Sequence, residues 1–271
     1  MNLNTIAEVK RPTSADEISQ WRDGYAWLAG GTWLFSEPQV AVDTLIDLDT
    51  LGWAPLTVTS AGLEIAATCR IADLHAFKGP ADWRAVPLFN ECIDAFLMSF
   101  KIWNAATVGG NVCMSLPAGA MISLTASLEG VCTLWPRGGK PREVPVVDFV
   151  TGNHQNILQK GELLRSIHLP ASALSKRFTM RQVSLTHLGR SAALIVGTVN
   201  DDGSDFLLTI SAATPRPRQL RFARLPSADE LRQAIDRELP ADSYFQDVHG
   251  SAPYKRHITY YLSEQIRAEL T

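Results

Sequence analysis

The stretch that decides the fold is Asn104-Ala-Ala-Thr-Val-Gly-Gly-Asn111, in which a Gly-Gly pair follows a helical pattern. A second pair lies in Leu28-Ala-Gly-Gly-Thr32, directly after a strand-like run. Consecutive glycines allow positive φ and let successive N–H groups point to one side, which forms a concave site for oxygen anions. Thr32, Thr107 and Asn111 add hydroxyl and amide donors. The two patches together predict a site for the two phosphates of a dinucleotide, whereas either pair alone is better explained as a tight turn.

The N-terminal region around these patches alternates short strands with helices. Apolar alternation and turn residues predict strands over residues 26–29, 41–49, 56–67, 131–135, 142–146 and 161–170. Helical spacing and a capping box at Ser14–Glu17 predict helices over residues 12–24, 88–102 and 122–128. The strands at 131–135 and 142–146 are predicted to form a hairpin with its turn at 136–140.

The pattern changes after Pro170, where Ser172–Lys176 is predicted to be a link. Strands are predicted over 177–183, 192–200 and 205–213, and the last two form a hairpin through Asn200–Gly203. A second capping box at Ser227–Glu230 begins a helix to about Glu238, and a terminal amphipathic helix covers 251–270. We therefore predict an α+β protein with domains at 1–172 and 176–271, the second a small antiparallel sheet backed by helices.

Composition excludes several classes of protein. Hydrophobic residues are 46% and charged residues 20% of the 271 residues, as in ordinary globular proteins. The 25 Lys and Arg against 28 Asp and Glu give a net charge of −3, which provides no basic surface for nucleic acid and no polybasic membrane anchor. No apolar stretch approaches the roughly 18 residues of a membrane span. The N-terminal residues lack the pattern of a secretory signal, so we expect a cytoplasmic protein.

Common catalytic and metal-binding motifs are absent from the sequence. It contains no G-x-G-x-x-G, G-x-x-x-x-G-K-[ST], H-E-x-x-H or G-x-S-x-G motif, and we assign no catalytic residue. The six histidines have no metal-ligand spacing, and the four cysteines are far apart, so we predict no metal site. We expect the cysteines to be packing residues.

Four stretches, in this order and spacing, resemble the flavin subunit of the molybdenum hydroxylases, the medium chain of enzymes of the xanthine dehydrogenase and carbon monoxide dehydrogenase type. The resemblance covers almost the whole chain. The stretches are Leu28-Ala-Gly-Gly-Thr32, Asn104-Ala-Ala-Thr-Val-Gly-Gly-Asn111, Gly161-Glu-Leu-Leu-Arg-Ser-Ile-His-Leu-Pro170 and Asp247-Val-His-Gly-Ser-Ala-Pro-Tyr-Lys-Arg256.

This resemblance implies a two-part FAD-binding domain of the vanillyl-alcohol-oxidase or PCMH type, followed by a C-terminal domain beside the flavin. It implies that FAD is the cofactor. The first patch would cradle its pyrophosphate and the second would line it from the opposite side. The implied residues are Ala29, Gly30, Gly31, Thr32 and Trp33 in the first patch, and Thr107, Val108, Gly109, Gly110 and Asn111 in the second. Leu164 would approach the flavin end, Leu97 the adenine, and Arg181 the isoalloxazine, where relatives carry a basic residue.

The resemblance also implies the protein's role and partners. We expect an oxidoreductase subunit that receives electrons from iron–sulfur clusters of a partner and passes them to NAD, a quinone or dioxygen. The expected partners are a small 2Fe-2S subunit and a large molybdopterin subunit in a hetero-oligomer, a heterotrimer in its simplest form. Trp33 and Ala120 replace polar or acidic residues common in the family, so a structural subunit without flavin is an alternative. A stand-alone flavin oxidase is a third hypothesis.

Overall fold

The N-terminal residues form a three-stranded parallel sheet. The computed structural model describes residues 3–18, 20–136 and 140–271. The strands of this sheet are β1 (Glu8–Lys10), β2 (Tyr25–Leu28) and β3 (Thr44–Asp47), in the order β1-β3-β2. Both outer strands run parallel to β3. This arrangement brings the end of β2, where the first glycine patch begins, beside the end of β3.

The helix predicted over residues 12–24 is wrong in extent. Only a 3-10 turn at Ala15–Ile18 forms, although the Glu17 carboxylate accepts bonds from the N–H and hydroxyl of Thr13. The Trp21 ring packs against Tyr25 and Trp27 at 5.7 Å and 4.6 Å between centroids, which favours an extended approach to β2 over a second helical turn. Residue 19 lies outside the described residues.

The next part of the chain forms a five-stranded antiparallel sheet with helices packed against it. The strand order is β4-β5-β10-β6-β7, and β8 and β9 form a separate two-stranded ribbon. In chain order the elements are β4 (Leu56–Thr59), β5 (Gly62–Ala66), α1 (Ile71–His75), α2 (Pro87–Asp94), α3 (Phe100–Trp103), α4 (Val108–Met114), α5 (Ala120–Ser127), β6 (Val131–Trp135), β7 (Arg142–Pro145), α6 (Val146–Phe149), β8 (Val150–Gly152), β9 (Gln155–Asn156), β10 (Leu163–Pro170) and α7 (Ala171–Leu174).

Two predicted elements in this region are divided in the structure. The strand predicted over 56–67 is the hairpin of β4 and β5, because Gly62 turns the chain at a φ of 145° and packs directly on the Leu169 carbonyl. The helix predicted over 88–102 ends at Asp94, and Leu97 adopts a left-handed φ of 52° that a helix cannot contain. The β6–β7 hairpin is confirmed, although residues 137–139 of its turn lie outside the described residues.

The C-terminal part confirms the predicted antiparallel sheet backed by helices. Its sheet has the order β11-β12-β13-β14, and its two long helices begin at serine N-caps. One face of the sheet packs against α5, and the other packs against the terminal helix, so all nine residues of β12 are buried. The elements are β11 (Arg177–Ser184), β12 (Ser191–Val199), β13 (Ser204–Ser211), β14 (Arg218–Arg224), α8 (Ala228–Glu238) and α9 (Ala252–Leu270). The α+β prediction is confirmed.

The predicted link at Ser172–Lys176 is a packed connection rather than an open linker. It includes most of α7 and ends at Lys176, whose side chain is 2% exposed. The Lys176 Nζ lies 2.9 Å from Glu129 Oε1 and 2.7 Å from Asp205 Oδ2, and Arg221 pairs with both carboxylates. The two parts of the chain are therefore joined by a charged cluster, and the domain boundaries at 172 and 176 stay a prediction.

None of the helices in the described part of the chain combines the length and apolar character that crossing a bilayer requires.

Candidate functional site

The first glycine patch is an irregular loop with unused backbone donors. Gly31 has a φ of 69°, a left-handed conformation that favours glycine, and its carbonyl accepts a bond from Phe35 N at 2.8 Å. Within the described residues, the N–H groups of Gly30, Gly31, Thr32 and Trp33 donate no hydrogen bond. Four consecutive free donors beside a strand end form the kind of backbone site that binds phosphate oxygens.

The second patch differs from its prediction, because its Gly-Gly pair lies inside a helix. Thr107 is the N-cap of α4, and its hydroxyl accepts a bond from Gly110 N at 3.0 Å. Val108 N and Gly109 N donate to the carbonyls of Cys69 and Ala67, and Asn111 N donates to the Thr107 carbonyl. Neither glycine of this pair has a positive φ. The donors of residues 108–111 are therefore already used by the protein.

Thr107 is the member of the second patch that keeps free hydrogen-bonding capacity. Its N–H donates no bond within the described part of the chain, and its hydroxyl proton is free because the oxygen acts only as an acceptor to Gly110. Thr107 is 5% exposed and lines a cavity shared with the first patch. A buried threonine with two free donors can bind an anion.

The two patches meet directly. A Cβ on Gly30 would lie 1.8 Å from the Ala105 carbonyl oxygen, so the first loop packs on the backbone that leads into α4. Beside this contact is an open cavity of about 280 Å³. Its lining residues are Leu28, Ala29, Gly30, Phe35, Asp47, Asp49, Thr68, Arg70, Asn104, Ala105 and Thr107. The sequence therefore predicted correctly that the two patches share a location.

Three lining residues that carry charge were missed by the sequence analysis. Asp47 and Asp49 lie at and just after the end of β3, and Arg70 is the N-cap of α1. Arg70 Nη2 lies 3.4 Å from Asp49 Oδ2, and Asp49 N donates to Asp47 Oδ1 at 3.1 Å. Their positions in the sequence carry no motif, and the parallel pairing of β2 with β3 is what brings the two aspartates to the cavity.

The remaining predicted site residues divide between packing and surface positions. Leu164 is 3% exposed and belongs to the apolar core, whereas Leu97 is 37% exposed in the loop between α2 and α3. Arg181 pairs with Glu269 of α9 and donates to the Met180 carbonyl, and within the described residues no hydrogen bond or ion pair joins it to either glycine patch. The Asn111 side chain accepts a bond from Met121 N at 3.0 Å, which fixes the start of α5.

Trp33 joins the first loop to another part of the site. Its ring lies 5.6 Å from the His154 ring between centroids, and His154 N donates to the Ser115 carbonyl at the end of α4. Trp33 is therefore linked to the end of α4 through His154, and neither residue is among the lining residues of the cavity.

The cysteines do not contribute to the cavity. Cys69, Cys92 and Cys132 are buried, and Cys113 is partly buried. Burial raises the pKa of the Cys69 thiol to about 12, so this thiol stays protonated at neutral pH.

The donor set of the site fits FAD. Backbone N–H groups, the Thr107 hydroxyl and the Arg70 guanidinium are all donors of the type that binds a pyrophosphate. The Asp47 and Asp49 carboxylates are acceptors suited to ribose hydroxyls.

Sequence comparison places these residues in a known family. Residues 5–172 match the family described as the FAD binding domain in molybdopterin dehydrogenase. The chain is also similar to the caffeine dehydrogenase subunit beta of Pseudomonas sp. strain CBB1, with 25% identity over 255 residues that cover 88% of this chain and 82% of the relative.

Solved structures share the fold over nearly the full chain. Quinoline 2-oxidoreductase from Pseudomonas putida 86 superimposes with a TM-score of 0.79 and 16% identity, covering 98% of this chain and 96% of that chain. Carbon monoxide dehydrogenase from Oligotropha carboxidovorans gives a TM-score of 0.77 and 19% identity, covering 96% and 97%. At these identities the similarity shows the fold.

Proposed function

The chain belongs to the family of FAD-binding domains of molybdopterin dehydrogenases, its cofactor is FAD, and we propose that it is the electron-transfer subunit of a multi-subunit molybdenum hydroxylase. It is an oxidoreductase subunit, and substrate oxidation takes place on a partner chain. The observation that carries the proposal is the run of four free N–H groups at Gly30–Trp33, which begins at Gly30 in the lining of the same cavity as Thr107.

The proposed partners are a small 2Fe-2S subunit and a large molybdopterin subunit. Electrons pass from the iron–sulfur clusters to this chain and then to NAD, a quinone or dioxygen. The relative that matches most of the chain is itself named as one subunit of a dehydrogenase, which supports a hetero-oligomer. When bound, FAD supplies the redox chemistry, and the protein supplies its binding, orientation and electrostatic surroundings.

The chain's own residues have separate tasks in this proposal. The N–H groups of Gly30–Trp33 and the two donors of Thr107 bind the pyrophosphate. Val108, Gly109 and Gly110 fix the position of Thr107 through the bonded first turn of α4. Ala29 lines the cavity, and Trp33 packs on His154 at the end of the donor loop.

The test is to purify the chain with the proteins that accompany it and to count flavin released on denaturation. We expect about one FAD per chain, with a molybdopterin protein and a 2Fe-2S protein in the same complex. Absence of FAD, even after addition in excess, would support a structural subunit instead. Substrate turnover by the isolated chain would support a stand-alone oxidase and would contradict the proposed electron transfer between subunits.

A further inference from the structure

The cavity between the glycine patches contains one cationic side chain, that of Arg70, among its lining residues. The backbone of Arg70 is held beside the second patch by hydrogen bonds of the neighbouring residues. Arg70 forms an isolated antiparallel bridge with Thr107, and the neighbouring Cys69 carbonyl accepts a bond from Val108 N at 2.9 Å. Arg70 is therefore positioned next to the free donors of Thr107.

The Arg70 guanidinium makes little use of its donors within the protein. A guanidinium has five N–H groups, but within the described residues its hydrogen bond is the 3.4 Å contact with Asp49 Oδ2. Both side chains are exposed, at 50% and 62%. Arg142, by contrast, makes two bonds of 2.7 Å to the Glu162 carboxylate and a third to a carbonyl. Arg70 thus has donors available for a ligand.

The charge of the cavity shows why a cation is needed there. The acidic lining residues are Asp47 and Asp49, and a pyrophosphate placed beside two carboxylates is repelled. Arg11 is 3.9 Å from Asp47 and 70% exposed, so it offsets that charge only weakly. Arg70 contacts Asp49 through its side chain and is bridged to Thr107 through its backbone, so its charge can offset the repulsion at the phosphate.

We propose that Arg70 binds a phosphate of the FAD pyrophosphate, together with the free N–H groups of the first patch. This inference rests on the proposed function, because it concerns the same cofactor site. It adds a cationic side chain to the backbone N–H groups and the hydroxyl and amide donors that the sequence predicted. A side-chain cation adds a salt-dependent contribution to affinity, which backbone donors provide only weakly.

The test uses the complex after removal of its flavin and compares wild type with Arg70→Gln. Affinity is measured by titration calorimetry for FAD, ADP and riboflavin at two salt concentrations. We expect Arg70→Gln to weaken FAD and ADP binding about tenfold, the scale of one charge-assisted hydrogen bond, and to leave riboflavin binding unchanged. The salt dependence of FAD binding decreases in this variant. Arg70→Lys, which keeps the charge, retains part of the affinity.

Arg84→Gln is the matched control, because Arg84 also pairs with an aspartate, Asp201, but lies outside the cavity. It should bind FAD as wild type does. The inference is overturned if Arg70→Gln binds FAD with wild-type affinity and salt dependence, or if riboflavin binding weakens equally. Failure of wild type itself to bind FAD would instead contradict the proposed function. Melting curves of the flavin-free proteins confirm that each variant is folded.

Discussion

The two Gly-Gly patches have similar sequences and opposite hydrogen-bonding states. In the first, four consecutive N–H groups donate no bond within the described residues, and Gly31 has a left-handed φ. In the second, the donors of residues 108–111 are all bonded and neither glycine is left-handed. This difference shows that a Gly-Gly pair alone does not form an anion-binding site. The preceding residues decide, since Thr107, two positions before the second pair, caps a helix, whereas Leu28, two positions before the first pair, ends strand β2.

The glycines of the second patch are needed for close packing instead. A Cβ on Gly109 would lie 2.6 Å from the Cα and carbonyl oxygen of Ala67, which belongs to the segment after β5. This contact allows Val108 and Gly109 to bond to that segment. The second patch therefore holds Thr107 and the cavity wall in place, and the first patch supplies backbone donors.

The largest expected effect is the loss of FAD affinity when Gly30, rather than Gly110, is replaced by alanine. Gly30→Ala places a methyl group 1.8 Å from the Ala105 carbonyl oxygen, so the first loop must move away from the second patch. We expect FAD affinity to fall by roughly 100-fold, about 2.7 kcal/mol. Affinity is measured by flavin fluorescence on the flavin-stripped complex.

Gly110→Ala is the control for that experiment. Its methyl group would lie 2.9 Å from the Thr107 hydroxyl, so that side chain must shift slightly, and alanine favours the helix. Because Thr107 is one of the proposed phosphate ligands, FAD affinity should fall by up to about tenfold, an order of magnitude less than in Gly30→Ala. An equal loss of affinity in both variants would mean that the second patch also binds the cofactor through its Gly-Gly backbone.

A smaller effect concerns the Arg142–Glu162 ion pair and the stability of β2, the strand that leads into the first patch. Trp27 of β2 donates from Nε1 to the Glu162 carbonyl at 3.1 Å, and the Glu162 carboxylate is bonded by Arg142. The Arg142 guanidinium holds the pKa of Glu162 below its usual value. The Arg142–Glu162 pair stabilises the folded state fully at pH values above about 4.3, the pKa of glutamate in the unfolded chain. This stabilisation is lost as pH falls through the lower pKa of Glu162 in the folded state.

Arg142→Met should reduce the free energy of unfolding at pH 7 by roughly 2 kcal/mol, less than for a fully buried pair because Arg142 is 37% exposed. The difference from wild type should shrink as pH falls below the unfolded-state value of about 4.3, because the unfolded chain then binds a proton that the paired Glu162 does not. Urea unfolding at several pH values measures the loss of unfolding free energy and its dependence on pH. Arg224→Met, which removes an exposed ion pair with Glu230, should have little effect. A difference that is the same at pH 7 and pH 3.5 would contradict this interpretation.

The smallest effect concerns the N-cap of α4. Thr107→Val removes the oxygen that accepts from Gly110 N, and it should destabilise the protein by about 1 kcal/mol. Thr107→Ser keeps the oxygen and should recover most of that loss. Thermal unfolding of the flavin-free proteins measures the effect. Equal stability of the valine and wild-type proteins would show that the cap does not hold the second patch.

Much of the fold could be predicted from the sequence, because strands and helices with regular patterns are local. Three of the four strands of the C-terminal sheet were predicted, and only β14 was missed. The predicted capping box is formed by Ser227 and Glu230. Predictions failed where one residue changes the path of the chain, as at Gly62 and Leu97.

The candidate site could be predicted only in part. The two patches are distinctive in sequence and do meet in space. Arg70 and Asp49 could not be found, because they reach the cavity through strand pairing and the contact of residues 67–71 with 106–109. The cofactor roles of Leu97, Leu164 and Arg181 stay predictions.

The central claim is that FAD is bound by the free backbone donors of Gly30–Trp33 together with Thr107, and not by the amides of residues 108–111. Amide hydrogen exchange of the flavin-free and FAD-loaded complex tests it directly. We predict fast exchange at Gly30–Trp33 without FAD and strong protection with it, whereas amides 108–111 are slow in both states. Fast exchange at 108–111 without FAD, with protection gained on binding, would contradict the account.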